Sequence, residues 1–472
     1  MDPKLQKFMQ KHSSLFEKFS KYILAAVLII VPLFPKFPLF SVNGTYVAIR
    51  FEDLILLLLG VLILIKVLPN LKQFLKDKII FSFAVFIAIG FVSLLSGAFL
   101  TQTVGFKIGA LHLLRRIEYI IPFVGMITLL SKEKAGEYLN FFTKLFLVVT
   151  LVAFVYGVGQ RYLRFPIIIT QNEEYSKGVA LFWTPGSHIN STFAGHYDEA
   201  AVMVMFLTIF ITLLVLTKDY VSKLALFLSS SFGLWLLINS LSRIAQVSYL
   251  VSIGISLFLV KKYKALALMF LVSLILIGMS SSLGSRFSRI FEVFQQKINS
   301  ARSVTYIIPK FEVLASESIL PAKRTIQVTP TPQPVPVFED RSTSIRLNVE
   351  WPRAIRAFKK NFILGTGYSS INLATDNDYL RLLGEVGLLG FLGFCLVFYT
   401  ILKEILTVFP LSLKMNNTYT AYMSAVVGLT TGTFLSAVFL DLFEASKFAI
   451  LFWFILGLAV FLVRSKNYVE EN

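Results

Sequence analysis

The sequence predicts an all-α polytopic membrane protein with about 12 transmembrane helices and a large external loop between helices 9 and 10. The first observation is composition: 56% of the 472 residues are hydrophobic, whereas soluble domains are about 45–50% apolar. The second is that the apolar residues form separate runs of roughly 20 residues, the length that a helix needs to cross a bilayer. Backbone polar groups in lipid must be satisfied within their own segment, so each run is predicted to be helical.

The predicted spans are apolar runs bounded by charged or turn-forming residues. They lie near 22–41, 53–69, 79–99, 106–130, 141–160, 199–217, 223–240, 244–260, 264–282, 385–403, 417–440 and 444–464. The first run follows a lysine-rich start, as in a signal sequence. Pro32 and Pro35 interrupt it and no small-residue cleavage site follows, so a retained first helix is predicted.

Lysine clusters mark alternate connections between the spans, for example near 4–21, 66–78 and 261–264. Positive residues in short loops favour the cytoplasmic side. Both termini are therefore predicted to be cytoplasmic.

Three regions follow from this arrangement: an N-terminal bundle over 1–280, an external loop over 281–384 and C-terminal helices over 385–472. A first external connection is predicted near 161–198, and a Pro/Thr spacer at 329–336 divides the large loop. The large loop holds 14 Lys and Arg against 8 Asp and Glu. Long loops are exported largely regardless of charge, so the excess does not alter the topology, and an anionic ligand is one reason for it.

The stretch Arg341–Gly390 organises the chain. Its first part is a cation-rich segment of helical periodicity that contains Arg346, and Gly365 and Gly367 then form a turn. A polar cluster at 375–380 follows at the mouth of an apolar helix. Cations, a glycine turn and carboxylates at a membrane surface are suited to an anionic, lipid-borne substrate.

Other classes find less support in the residues. The net charge of +18 is distributed between apolar runs, which fits anionic lipid headgroups better than nucleic acid. The single cysteine, Cys395, allows neither a disulfide framework nor a cysteine metal site. His188, His196 and Asp198 form only a weak metal-site pattern. The sequence contains no nucleotide-binding glycine loop, so ATP hydrolysis is not expected.

The central stretch and two earlier signals resemble the O-antigen ligase and polysaccharide polymerase superfamily of bacterial envelopes. The matching features share their order along roughly 190–400: Ser191-Thr192-Phe193-Ala194-Gly195-His196, Ser242-Arg243, Arg346 before Trp351, Gly365-Thr366-Gly367, Asn377 before Tyr379-Leu380, and Gly387-Leu388-Leu389-Gly390. Two departures stand out. Asp376 occupies the place where ligases often carry histidine, and no proline precedes the glycine turn.

The resemblance implies an inverting, metal-independent glycosyltransferase without a cofactor, on the external face of the bacterial cytoplasmic membrane. The donor would be an oligosaccharide on a polyprenyl pyrophosphate, and the acceptor a hydroxyl of a glycan, lipid or protein. The catalytic residues would be Asp376, Arg243 and Arg346. The substrate-binding residues would be Arg341, Asn377, Tyr379, Arg286, Arg289 and His196.

The residues themselves leave alternatives open. Arg243 could reach lipid headgroups, and Arg346 could lie on a solvated helix face. Asp376 or Asn377 could cap the following helix, and Tyr379 could anchor at the membrane interface.

Two other functions compete with glycosyl transfer. A transporter or flippase of anionic lipid-linked glycan is the alternative, although no internal repeat is evident. A cell-wall glycosyltransferase of the shape-elongation type lacks its sequence pattern here. Arg115 and Glu118, three residues apart in the fourth span, are predicted to form an internal ion pair.

Overall fold

The computed structural model describes residues 3–41, 48–167, 181–279, 344–371, 374–410 and 417–465. Over these residues the chain is mostly helical. The long helices are α1 Pro3–Leu33, α2 Phe51–Val67, α4 Lys78–Leu95, α5 Phe106–Leu129, α6 Ala135–Tyr162, α7 His196–Leu216, α8 Tyr220–Asn239, α9 Arg243–Leu259, α10 Tyr263–Met279, α12 Asp378–Ile405, α13 Asn417–Ser436 and α14 Ser446–Arg464. The short elements are α3 Leu71–Leu75, α11 Trp351–Lys360, β1 Pro38–Ser41, β2 Ala48–Arg50, β3 Pro166–Ile167 and β4 Leu181–Phe182.

A helix lies at each of the predicted spans. Of those in the described part of the chain, 7 are long and apolar enough to cross a membrane, and α9 and α10 are shorter apolar helices. A multi-pass membrane protein follows from this, while the count of about 12 spans stays a prediction. Much of the predicted 281–384 loop lies outside the described residues.

The predicted end of the first span was wrong. The first span was expected to reach residue 41, but α1 ends at Leu33, and Pro38–Ser41 forms an antiparallel pair with Ala48–Arg50. Pro32 lies in the last turn of α1, where a missing N–H and a ring clash end a helix. The tenth span was predicted near 385–403, and α12 starts at Asp378, as the predicted cap at Asp376 or Asn377 implies.

The interior of the bundle is formed by helices that are apolar on all sides. α7 and α14 are buried along most of their length, which is where such helices are found. α9 packs against α13 through small residues: a Cβ at Gly432 would lie 2.8 Å from the Ser248 carbonyl oxygen. The Ser248 and Ser436 hydroxyls are 2.6 Å apart. Small residues let helix backbones approach closely in a membrane, where hydrogen bonds across helices add to the packing.

The ends of the helices are joined by charged contacts at one end of the bundle. Arg464 pairs with Asp77 at 2.7 Å and Glu404 at 2.6 Å, and Lys134 pairs with Glu17 at 3.2 Å. These contacts join α14, α4 and α12, and α1 with the residues before α6. The lysine pattern predicts all of these helix ends on the cytoplasmic side.

At the opposite end, α12 is broken at Gly387, which has a φ of +69°. A break inside a membrane helix leaves backbone groups that neighbouring segments must satisfy. The Gly365–Gly367 turn and the residues before it supply these partners. The pairs are Thr366 N–H to Gly384 O at 3.0 Å, Gly367 N–H to Glu385 O at 2.8 Å, Leu388 N–H to Phe362 O at 2.9 Å and Leu389 N–H to Ile363 O at 3.1 Å.

The turn needs glycine at this contact. Gly365 has a φ of +69°, and a Cβ on it would lie 2.5 Å from the Glu385 carbonyl oxygen. A hydroxyl of α4 completes the joint, since Ser93 Oγ donates to Leu364 O at 2.6 Å and to Glu385 O at 2.9 Å. The glycine turn predicted from the sequence therefore holds the broken helix together.

Gly365→Ala is expected to lower the midpoint of thermal unfolding in detergent. The left-handed backbone alone costs an alanine about 1–2 kcal/mol, and the methyl group would press on the α12 backbone. Gly136→Ala is the control, because no other group lies within 4 Å of a Cβ there. An unchanged midpoint for Gly365→Ala would show that the turn can move away from α12 without loss.

Candidate active site

The centre of the candidate site is an ion pair between Arg346 and Asp376. Arg346 opens a π-helical turn, Arg346–Glu350, just before α11. Its Nε and Nη2 both donate to Asp376 Oδ2, at 2.9 and 2.7 Å. The side chains are only 13% and 26% exposed, so water screens the pair weakly. The structure thus brings together two of the three residues that the resemblance marks as catalytic.

The pair affects the ionisation of both partners. Burial raises the pKa of Asp376, and the Arg346 charge and hydrogen bonds only partly oppose this shift. Burial tends to lower the pKa of Arg346, but the charge and hydrogen bonds of Asp376, together with Tyr197, outweigh burial and the net shift is upward. Both shifts follow from placing an ion pair away from water.

Asp376 is held in position by the backbone on either side of it. Its φ is +48°, a left-handed conformation in which Asp is tolerated better than most residues. Asp441 accepts hydrogen bonds from the N–H of Thr375 at 2.8 Å and of Asn377 at 3.1 Å. The cap of α12 is Asn377, whose side chain accepts from Leu380 N–H at 2.9 Å. The capping alternative therefore holds for Asn377, while Asp376 faces Arg346.

A network of buried charged side chains holds the segment that carries Asp376. Arg381 Nη1 donates to Asp441 Oδ2 at 2.9 Å, and its Nε lies 3.5 Å from Glu385 and 3.4 Å from Glu444. Arg116 of α5 also pairs with Glu444. Buried charges are retained when they are paired in this way. The network ties α5, α12 and the α13–α14 connection to the segment that carries Asp376.

Arg115 and Glu118 form the predicted ion pair at 3.5 Å. Asp53 of α2, which the sequence did not single out, lies closer to Arg115, at 2.9 Å. The Arg115 side chain also donates to the Ala48 carbonyl of β2 at 2.9 Å. The charges within α5 thus fasten the first strand pair to the bundle.

A cavity of about 50 Å³ lies within the network, bordered by Arg116, Tyr368, Asp378, Glu385 and Glu444. The Tyr368 hydroxyl and Glu385 Oε1 are buried without a hydrogen-bond partner among the described residues. A volume of this size holds a few waters, each needing about 10–15 Å³.

The predicted 161–198 connection also reaches the pair. His196 starts α7 and stacks on His188 with the ring centroids 3.8 Å apart. The next residue, Tyr197, interacts with the Arg346 guanidinium. Asp198 pairs with Lys36 at 3.7 Å. In the described part of the chain, no three His, Cys, Asp or Glu side chains are arranged to hold a metal ion.

Lys447 fixes the backbone of this connection. Its side chain is buried, and Nζ donates to the carbonyls of Pro32 at 3.1 Å, Phe34 at 2.9 Å and Thr192 at 2.7 Å. The ammonium also lies 5.3 Å from the centroid of the Phe193 ring. A buried ammonium needs such acceptors. The Ser191–His196 segment is therefore anchored to α1 and α14.

The other predicted site residues are placed less directly. Arg243 is half-buried as the first residue of α9, after the cap Ser242. It lies at the same end of the bundle as Asp376, because Ser248 of α9 contacts the end of α13. Tyr379 donates its hydroxyl to the Phe434 carbonyl at 2.8 Å, which makes it a link between α12 and α13. Arg286, Arg289 and Arg341 lie outside the described residues.

The site residues that the sequence analysis missed include Asp441 and Glu350. Asp441 lies in the short connection between two apolar spans, where its carboxylate could have been noticed. Glu350 lies four residues after Arg346, a spacing that places both side chains on one helix face. Each signal was local, but the partner of each residue depends on tertiary structure.

The fold and this site define a multi-pass helical membrane protein with a charged site at one end of its bundle. The family model described as O-antigen ligase matches residues 224–395, which include Arg243, Arg346, Asp376 and the broken helix. This part of the chain is thus similar to the O-antigen ligase family, and the predicted resemblance to this superfamily is confirmed. No curated protein matches the chain.

Proposed function

We propose that the protein transfers glycan from a polyprenyl-pyrophosphate-linked donor to a hydroxyl of a glycan, lipid or protein at the external face of the cytoplasmic membrane. The observation that carries this proposal is the Arg346–Asp376 pair, which lies within the O-antigen ligase match at the end of the bundle opposite the Arg464 contacts. An arginine fixed beside a carboxylate suits a reaction in which a phosphate leaves and a hydroxyl attacks.

In this mechanism, Arg346 and Arg243 stabilise the pyrophosphate as it takes on charge. The planar guanidinium can donate two parallel hydrogen bonds to a phosphate, which an ammonium cannot. The acceptor oxygen attacks the anomeric carbon from the side opposite the pyrophosphate, so the configuration at that carbon inverts. Asp376 keeps Arg346 oriented and lies where it can contact the acceptor hydroxyl.

In this proposal the two arginines stabilise the negative charge that develops on the pyrophosphate, so neither a metal nor a cofactor takes part. Preorganised donors aimed at developing charge are often the largest contribution to catalysis. The Arg346–Asp376 pair and the network around Arg381 lie together at one end of the bundle. This arrangement favours chemistry at that surface over passage of a lipid through mid-membrane.

The test uses purified protein in detergent with a lipid-pyrophosphate-linked glycan and a glycan or lipid acceptor. A new glycosidic bond is expected without ATP, and at an unchanged rate in EDTA. Movement of intact donor across a liposome with no covalent product would instead identify a transporter. Mass spectrometry of cells lacking the gene then separates two reactions: single units without long chains indicate a polymerase, and long chains left on the carrier indicate a ligase.

A further inference from the structure

We propose that Glu350 is the catalytic base, which takes the proton of the acceptor hydroxyl, while Asp376 serves to orient Arg346. This inference rests on the proposed glycosyl transfer and assigns one step of it. No sequence motif pointed to Glu350. Its position beside the Arg346–Asp376 pair and the state of its carboxyl oxygens carry the argument.

The local backbone places Glu350 at the pair. Arg346 begins the π-helical turn and Glu350 ends it, with Trp351 N–H bonded to the Arg346 carbonyl. Single π turns are rare and are frequently found at functional sites. The Glu350 carboxyl interacts with charges from three segments: Arg346 and Arg353 on its own helical segment, Asp376 before α12, and Asp441 between α13 and α14.

The carboxyl oxygens of Asp376 and Glu350 differ in the hydrogen bonds that they accept. Asp376 Oδ2 receives two hydrogen bonds from Arg346. Glu350 Oε2 is buried and has no hydrogen-bond partner among the described residues. Buried polar atoms are normally paired, so such an oxygen indicates a missing partner. A hydroxyl that donates to Glu350 would supply it.

Two hydrogen-bond donors close to Glu350 in the sequence are also unpaired. Trp351 Nε1 and Arg353 Nη1 are also buried and lack partners within the described part of the chain. A ligand with hydrogen-bond acceptors would satisfy both, and a sugar offers its ring and hydroxyl oxygens together with a hydroxyl proton. One unpaired hydrogen-bond acceptor and two unpaired donors thus lie within four consecutive residues. This set points to a carbohydrate as the molecule that receives the glycan.

The electrostatics suit a base at neutral pH. Burial, followed by repulsion from the Asp376 carboxylate, raises the pKa of Glu350 to about 7, against the opposing effect of Arg346. A base whose pKa lies near the working pH combines a large unprotonated fraction with a useful driving force. Because the deprotonated form is the active one, the rate is expected to rise with pH through this value.

The step balances without a further reactant. The acceptor O–H proton passes to Glu350, and the oxygen forms a bond to the anomeric carbon. The bond from that carbon to the phosphate oxygen breaks, and its electron pair leaves on the polyprenyl pyrophosphate. The proton on Glu350 then passes to solvent, which restores the carboxylate.

The test is the pH dependence of glycan transfer by Glu350→Gln, measured from pH 5 to 9 at saturating donor. Glutamine keeps the size of the side chain but cannot take the proton, so kcat is expected to fall by about a hundredfold. The rise in rate near neutral pH should disappear, whereas donor KM should change little. Glu133→Gln, an exposed glutamate outside the site, is the charge-matched control and should behave as wild type.

The outcomes separate this inference from the proposed function. If wild type forms no glycosidic bond, the function itself is wrong. If wild type is active and Glu350→Gln keeps both its rate and its rise with pH, Glu350 is not the base. Should the glutamine variant fail to fold, Glu350→Asp decides: a displaced rise supports the assignment, and a rise at the wild-type position overturns it.

Discussion

Arg346→Lys is expected to reduce the rate of glycan transfer by about a hundred- to a thousandfold, the usual cost of losing a donor that stabilises developing charge. Lysine keeps the positive charge but not the planar fork. In the structure Nε and Nη2 together grip one oxygen of Asp376, at 2.9 and 2.7 Å. A single ammonium cannot fix both its own position and that of the carboxylate.

The measurement compares kcat and donor KM with those of Arg356→Lys, an exposed position on the same helical segment. That control should retain wild-type rates. Arg243→Lys tests the second arginine of the proposal and is expected to act in the same direction. Full activity of Arg346→Lys, with normal expression, would show that Arg346 acts only as a positive charge at the membrane surface.

The positions of the helices were predictable because a helix that crosses a membrane requires an apolar run of a certain length. Their ends were not, since these depend on caps and on tertiary partners. α12 starts at Asp378 because Asn377 caps it and Asp441 holds the preceding backbone. The sequence showed the polar cluster but not which of its members would make each bond.

The candidate site was predictable in part for a similar reason. The order of motifs singled out Arg346 and Asp376, which are 30 positions apart in the chain and paired in the structure. The support from Asp441 spans a further 64 to 66 positions and has no local signature. The glycine turn was recognised as a turn, but its role depends on the positive φ of Gly387, which only the structure reveals.

Asp376→Asn is expected to slow transfer by about a hundredfold or more, because a small misplacement of a catalytic group can cost that much. Asparagine removes the negative charge that pairs with Arg346 and offers a weaker acceptor. The new asparagine cannot make up for this loss by capping α12, because Asn377 already caps that helix. Asp219→Asn is the control: Asp219 caps α8, and asparagine caps as well as aspartate does.

The pH profile of this variant separates the two carboxyls. If Asp376 orients Arg346 and Glu350 takes the proton, Asp376→Asn loses rate but keeps a rise with pH, which moves to lower pH because the Asp376 charge no longer raises the pKa of Glu350. If Asp376 is itself the base, the rise disappears with the charge. Asp376→His, which restores the residue that ligases often carry there, is expected to retain partial activity. A wild-type rate for Asp376→Asn across this range would show that neither role belongs to Asp376.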